Sequence, residues 1–286
     1  MNLLRAAAAC LAGMIVLAAA QAMAWGGPAG EIVNGKPVAD GQYPFMVSIQ
    51  GVSRKANNAY AGHFCGGALL DATHVLTAAH CVWDGTRAIP ATKIRVLAGA
   101  TRLRERVRRE GQLLTVRRID IHPRYGHSGA FDVAVLTLRR AAAVDGFMTL
   151  PAPGDAAADR PGAIATVAGW GSIRRVGGSA GQDPKFPRQL LETSIPVVAN
   201  GTCERDLRRA GLKNVNLRVA LCAGGEHRDS CYGDSGGPLF IEREGAPVQI
   251  GIVSWGIGCG TMRFPGVYTR LTDPDIARFV QRNLRR

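Results

Sequence analysis

A serine hydroxyl becomes a nucleophile only when a neighbouring base takes its proton as it attacks. The stretch RDSCYGDSGGP, residues 228–238, surrounds one serine in a way that invites that chemistry. Gly233, Gly236 and Gly237 clear side chains from around Ser235, so another molecule can approach the backbone closely. Asp229 and Asp234 put two carboxylates near Cys231 in the same stretch. Most serines in Gly-rich turns only bond nearby backbone, so the case rests on finding a base. The six histidines are His63, His74, His80, His122, His127 and His227, all N-terminal to Ser235. That order excludes one reading of Gly233-x-Ser235-x-Gly237, the nucleophile elbow whose histidine follows the serine. His80 stands out in VLTAAHCV, where it ends an apolar run and precedes Cys81. A histidine base needs an acid to hold its tautomer. Asp132, in FDVAVLTL, opens an apolar run that reads as a buried strand, where an unpaired carboxylate is costly.

The elements that must position these groups are short. From residue 32 onward the chain is a series of brief apolar runs between Gly, Pro, Asn and Asp, such as HVLTAAH, IRVLAGA, VAVLTL and QIGIVSWG. Many are rich in Val, Ile and Thr, as strands prefer, which predicts an all-β sandwich or barrel. PAPGDAAADRPG, residues 151–162, reads as the connection between two halves. One helix is predicted, at the C-terminus: Asp273 caps it, Pro274 suits its first position, and Ile276, Phe279, Val280 and Leu284 form one apolar face.

The N-terminal 24 residues differ from the rest. Arg5, the apolar run from Leu11 to Ala20 and the small-residue pattern Ala22-Met23-Ala24 read as a signal peptide, too short to span a bilayer. Residues 25–31 would remain ahead of the folded part, and no other segment reads as a membrane span. Export makes disulfides plausible. Beyond Cys10 in the signal, six cysteines remain: Cys65, Cys81, Cys203, Cys222, Cys231 and Cys259, enough for three bridges of undetermined pairing. No C-x-x-C occurs, and His63 and His80 do not give a zinc-finger spacing, so no metal and no cofactor is expected. The net charge of +13 favours solubility and weak attraction to polyanions. The densest basic stretch, TRLRERVRRE, reads as a solvated hairpin tip or as a polyanion contact through Arg102, Arg104, Arg106, Arg108 and Arg109.

The order His80, Asp132, Ser235, with LTAAHC, DVAVLTL and GDSGGP around them, resembles the chymotrypsin family of serine proteases from Ile32 to the end of the chain. The resemblance implies two antiparallel six-stranded β-barrels with a C-terminal helix, residues 32–150 and 151–286, and an active site in the cleft between them. His80 and Asp132 would come from the first barrel and Ser235 from the second. It implies bridges Cys65–Cys81, Cys203–Cys222 and Cys231–Cys259, and an oxyanion hole from the backbone N–H groups of Gly233 and Ser235. Asp229 would floor a pocket for Arg or Lys, with Gly256 and Gly266 in its walls, and Ser254, Trp255 and Gly256 would pair with the substrate backbone. Ile32 would be the N-terminus freed by propeptide cleavage, its ammonium paired with Asp234. Two residues depart from the family pattern. Glu31 stands where Arg or Lys is usual, so an enzyme that prefers basic residues should not cut its own propeptide, and removal of residues 25–31 by an outside protease with a taste for Glu, or by stepwise trimming, is expected. Ala100 takes a ligand-like place in a loop that binds calcium in some trypsins, so no calcium site is expected. The expected protein is a secreted monomer, extracellular or periplasmic, whose partners are protein or peptide substrates with Arg or Lys and proteinaceous protease inhibitors. The alternative is a cationic, polyanion-binding protein on the same fold.

Overall fold

The computed structural model describes residues 35–52, 58–104, 111–126, 129–173, 185–225, 229–258 and 264–286. The predicted signal and propeptide, Ile32, Arg106, Arg108, Arg109, His127, His227 and Cys259 lie outside them.

Six strands make the first barrel: β2 (Met46–Gly51), β3 (His63–Leu69), β4 (His74–Thr77), β5 (Ile94–Ala98), β6 (Gln112–Ile121) and β7 (Ala134–Leu138). They close in the order β2-β3-β4-β7-β6-β5, every neighbour antiparallel. Side chains alternate across a strand, so Val47 and Ile49 of β2, Val96 of β5, Leu114 and Val116 of β6, and Leu136 and Leu138 of β7 fill one core.

The second barrel is built from β8 (Ile164–Gly169), β9 (Leu191–Val198), β10 (Ala220–Ala223), β11 (Pro238–Arg243), β12 (Ala246–Trp255) and β13 (Gly266–Arg270). The order is β9-β10-β13-β12-β11-β8, and β8 pairs back onto β9 to close the ring. Val167, Ile195, Leu221, Leu239, Ile250 and Tyr268 pack its interior. β11 and β12 join through Glu244 and Gly245, both at positive φ (53° and 77°), the two-residue turn whose twist matches that of paired strands.

Residues 151–162 lie between β7 and β8. Two elements cross between the halves. β1 (Lys36–Pro37) adds an edge to β9 of the second barrel. The C-terminal helix α3 (Pro274–Leu284) buries Ile276, Phe279 and Val280 against the first barrel and β7. Its cap is as expected: the Asp273 carboxylate accepts from the N–H groups of Asp275 and Ile276. Two further helices were not predicted. α1 (Ala59–Gly62) is a single turn capped by Asn58. α2 (Asn200–Arg209) escapes an apolar-face search because it buries only Cys203 and Leu207, and the Cys203–Cys222 bridge ties it to β10.

Candidate active site

His80 sits in a 3₁₀ turn, Ala79–Val82, that continues β4. The bridge Cys65–Cys81 fastens this turn to β3, as the resemblance implies. Ligand-type atoms of Cys65, His80 and Cys81 crowd together here, but both sulfurs are spent in the bridge, which leaves a single imidazole.

Asp132 reaches this turn from the start of the β7 segment. One of its carboxylate oxygens accepts from the His80 backbone N–H at 2.9 Å, and the other meets His80 Nδ1 at 2.7 Å. Asp132 is buried, and two groups of the second barrel hold it: Ser254 Oγ donates to its carboxylate at 2.5 Å, and Thr269 Oγ1 donates to its carbonyl at 2.8 Å. A carboxylate can only accept, so the His80 proton sits on Nδ1 and Nε2 is left to act as a base. Burial pulls the imidazole down, but the hydrogen bond and charge of Asp132 outweigh it, and the net direction is up.

Ser235 lies across the cleft. Its carbonyl accepts from the Gly66 N–H of β3 at 2.8 Å and lies 3.6 Å from Cys81 Sγ. That same sulfur is 3.7 Å from His80 Nε2, so the serine loop and the imidazole flank one atom. No hydrogen bond joins the Ser235 hydroxyl to His80 among the described residues. Such bonds are often long in free enzymes and tighten when substrate arrives.

The loop around Ser235 is fixed from behind. Gly233 adopts φ +96°, a conformation that side chains resist, and a Cβ there would lie 3.0 Å from the Phe186 ring and 3.2 Å from Gly171 Cα. The Gly233 carbonyl meets His63 Nε2 at 3.0 Å, and Ser48 Oγ meets His63 Nδ1 at 2.6 Å. The carbonyl can only accept, so Nε2 carries the proton and Nδ1 accepts from Ser48. Burial drives the His63 imidazole down to about 4, against the bond to Gly233, so it is neutral at neutral pH. Among the described residues the backbone N–H groups of Gly233 and Ser235 donate to nothing. Two adjacent donors without acceptors are where an oxyanion could be received.

Asp229 and Ser235 line one cavity of about 190 Å³, with Ser254, Trp255 and Gly256 in its walls. Asp229 is 4% exposed, and a Cβ at Gly266 would lie 2.5 Å from its Oδ1. Asp234, by contrast, points away from the cavity. Its carboxylate accepts from the N–H groups of Gly171 (2.7 Å) and Cys231 (2.9 Å). Burial, opposed by those two bonds, pushes it up to about 6. Cys231 is disulfide-bonded, and its expected partner Cys259 is outside the described residues.

Three contributors were not foreseen. Ser254 was expected only as a strand partner for substrate, yet its hydroxyl binds Asp132. Thr269 gave no signal at all. The third is Phe131, directly before Asp132, which holds φ +58°, a region that bulky residues rarely enter. Its ring stacks on His122 (centroids 4.7 Å apart, planes at 13°), and the Arg124 guanidinium lies 4.0 Å above it. Arg124 and Arg218 in turn grip Asp275 at the start of α3.

Two closed antiparallel barrels, with an Asp-braced histidine facing a serine loop across their junction, define a serine hydrolase of the two-barrel type. Residues 32–278 match the Trypsin family, and the chain belongs to it: it is a trypsin-like serine endopeptidase. Over 249 residues it is 35% identical to a protein called Tryptase from Mus musculus, covering 84% of this chain and 85% of that protein.

Proposed function

We propose that this endopeptidase cleaves after Arg or Lys through an acyl-enzyme, that it is made as an inactive precursor, and that it acts outside the cytoplasm. The Ser235 hydroxyl attacks the scissile carbonyl while His80 Nε2 takes its proton. Asp132 keeps the imidazole turned and balances its positive charge. The carbonyl oxygen becomes an anion and is received by the N–H groups of Gly233 and Ser235, one such donor being worth about 10²–10³ in rate. His80 then protonates the departing amine, and water repeats the steps to free the acid.

The observation that carries the specificity is a shared cavity: a buried carboxylate, Asp229, in the same space as the nucleophile Ser235. A Lys or Arg side chain entering that space brings a cation to the carboxylate, and such charge-assisted pairs are strong where water is excluded. Small residues at Gly256 and Gly266 leave room for its stem. The segment Ser254–Gly256 pairs with the substrate backbone as an added strand.

Cleavage before Ile32 frees an ammonium that pairs with Asp234, whose raised carboxyl is consistent with an anion lacking its cation before the cut. Glu31 precedes the bond, so an outside protease with a preference for Glu makes that cut. Secretion is supported by the leader-like N-terminus and by two disulfides, Cys65–Cys81 and Cys203–Cys222. Among the described residues no helix is long and apolar enough to cross a membrane. Protein inhibitors that present Arg or Lys to the same pocket are the expected partners besides substrate, and the working state is a monomer.

The test is a peptide-library digest by the cut protein beside Ser235→Ala and Asp229→Ser. Cleavage after Arg and Lys by the parent, none by Ser235→Ala, and a loss of the basic preference in Asp229→Ser are expected. Cleavage after Phe or Leu by the parent would remove the specificity while sparing the mechanism.

A further inference from the structure

Many arginines on the described surface face a carboxylate: Arg87 faces Asp84, Arg124 and Arg218 face Asp275, Arg208 faces Glu204, and Arg243 faces Asp155. The arginine-dense stretch follows suit at Arg102, which pairs with Asp40 and also bonds Gln189. Five cations of the first barrel are not matched in this way. Lys93, Arg95, Arg117, Arg139 and Arg140 form no ion pair among the described residues. Lys93, Arg117, Arg139 and Arg140 are exposed, and Arg95 is half-buried.

The barrel brings four of these together from distant parts of the chain, and Arg140 follows Arg139 in sequence. Arg95 of β5 stands directly opposite Thr115 of β6. The Arg139 N–H, just past β7, donates to the Thr115 carbonyl at 2.9 Å, so Arg139 flanks Thr115 from the other side. Arg117 lies two residues beyond Thr115, at an irregularity where the register skips from Val116 to Arg118. The turn that ends in Lys93 lies against β6 as well. Arg118 is the neighbour that is neutralised, by Asp120 at 2.5 Å. Arg95 donates from Nη1 to the carbonyls of Thr92 and Ile94 and keeps its other donors for a ligand.

Like charges set side by side weaken a sheet, and an anion that bridges them removes that cost. We propose that this outer face of the first barrel binds a linear sulfated polysaccharide. Strands about 4.8 Å apart place the cations in a row at a spacing that a densely charged, extended polymer can follow. The guanidinium fork pairs with two oxygens of one oxyanion. Among the described residues the exposed large hydrophobics are Val52, Phe64, Phe147, Ile164, Leu212 and Tyr232, and of these Val52 borders the face, beside Lys93. Among the described residues the face therefore offers no exposed aromatic ring for a nucleobase to stack on and no wide apolar anchor for a bilayer. Disulfides place the chain where thiols are oxidised, the compartment of secreted glycans rather than of most nucleic acid.

Binding of a size-defined heparin oligosaccharide to the Ser235→Ala protein, measured by calorimetry at low and high salt, tests this. The parent should bind at low salt and weaken as salt rises. A variant combining Lys93→Ser, Arg95→Ser, Arg117→Ser, Arg139→Ser and Arg140→Ser should bind about thirtyfold more weakly, at about twofold per screened contact. If the Arg95 change unsettles the fold, the exposed triple Lys93→Ser, Arg117→Ser, Arg139→Ser should still lose about eightfold. The same changes in the active enzyme should leave cleavage of a small peptide substrate unaltered. No binding by the parent, or equal binding by the variants, overturns the proposal. So does a loss that follows Arg102→Ser and Arg104→Ser instead. Tighter binding of duplex DNA or of anionic vesicles through the same five residues would assign the face to another class of partner.

Discussion

Asp234 gives the account a quantity that can be measured before any substrate is known. Its carboxylate is enclosed, held by two backbone N–H groups, and lifted by burial from 3.8 to about 6. A carboxyl whose folded value exceeds its unfolded value stabilises the fold fully below the unfolded value, and that contribution is lost as pH rises through the folded one. Here the window runs from about pH 4 to just above 6, and the loss amounts to about 3 kcal/mol. The perturbation is Asp234→Asn in the uncut protein, with Ser235→Ala in both proteins to prevent self-digestion. Asn cannot ionise, but its amide faces one N–H group badly, so a constant offset of about 1 kcal/mol is expected at every pH. The slope is what matters. Urea unfolding at steps from pH 4 to 8 should show Asp234→Asn gaining about 3 kcal/mol relative to its parent across that range. After cleavage before Ile32 the proposed ammonium stabilises the charged form, and the sign should reverse: Asp234→Asn becomes the less stable protein at neutral pH. Parallel curves for the two uncut proteins would refute the reasoning about burial. The same slope before and after the cut would refute the proposed pairing.

Three further outcomes are expected. Ser254→Ala removes a hydroxyl that braces the Asp132 carboxylate; a hydrogen bond to a charged group is worth about 1.5 kcal/mol, so kcat should fall about tenfold with KM nearly unchanged, and steady-state kinetics on a basic peptide would show it. Phe131→Ala removes both the stack on His122 and the ring's hold on a left-handed backbone, whereas Phe131→Asn loses the ring but tolerates that backbone; the Asn variant should recover most of the kcat that Ala loses, and equal losses would mean that the backbone angle does not position Asp132. Asp273→Ala deprives α3 of its cap and Arg218 of its partner at 2.7 Å, so thermal unfolding should begin about 5 °C lower, for a loss of about 2 kcal/mol.

The residues legible in the sequence were those whose neighbours in the chain announce them. Ser235 lies among glycines, His80 precedes a cysteine, and Asp132 opens an apolar run, so each carries its own local signal. The C-terminal helix was readable because its cap, proline and apolar face repeat at helical spacing. What escaped lay across the sheet rather than along the chain. Ser254 and Thr269 reach Asp132 from strands more than a hundred residues away, and nothing near them marks a hydroxyl as a brace. The positive φ of Phe131 accompanies a ring stack on His122, a contact that no propensity encodes. α2 hid because only two of its side chains are buried. The same limit explains the cations. TRLRERVRRE draws attention by its density, yet Arg102 is already paired, while the row across β5, β6 and β7 is assembled only when the barrel closes.

The central claim is that Ser235, and no other serine, is made nucleophilic by His80. Labelling the cut protein with a fluorophosphonate and mapping the adduct by mass spectrometry tests it in one step. A single adduct on Ser235 is expected, absent in Ser235→Ala and formed far more slowly in His80→Ala. An adduct on another residue, or an unchanged labelling rate without the imidazole, would contradict the account.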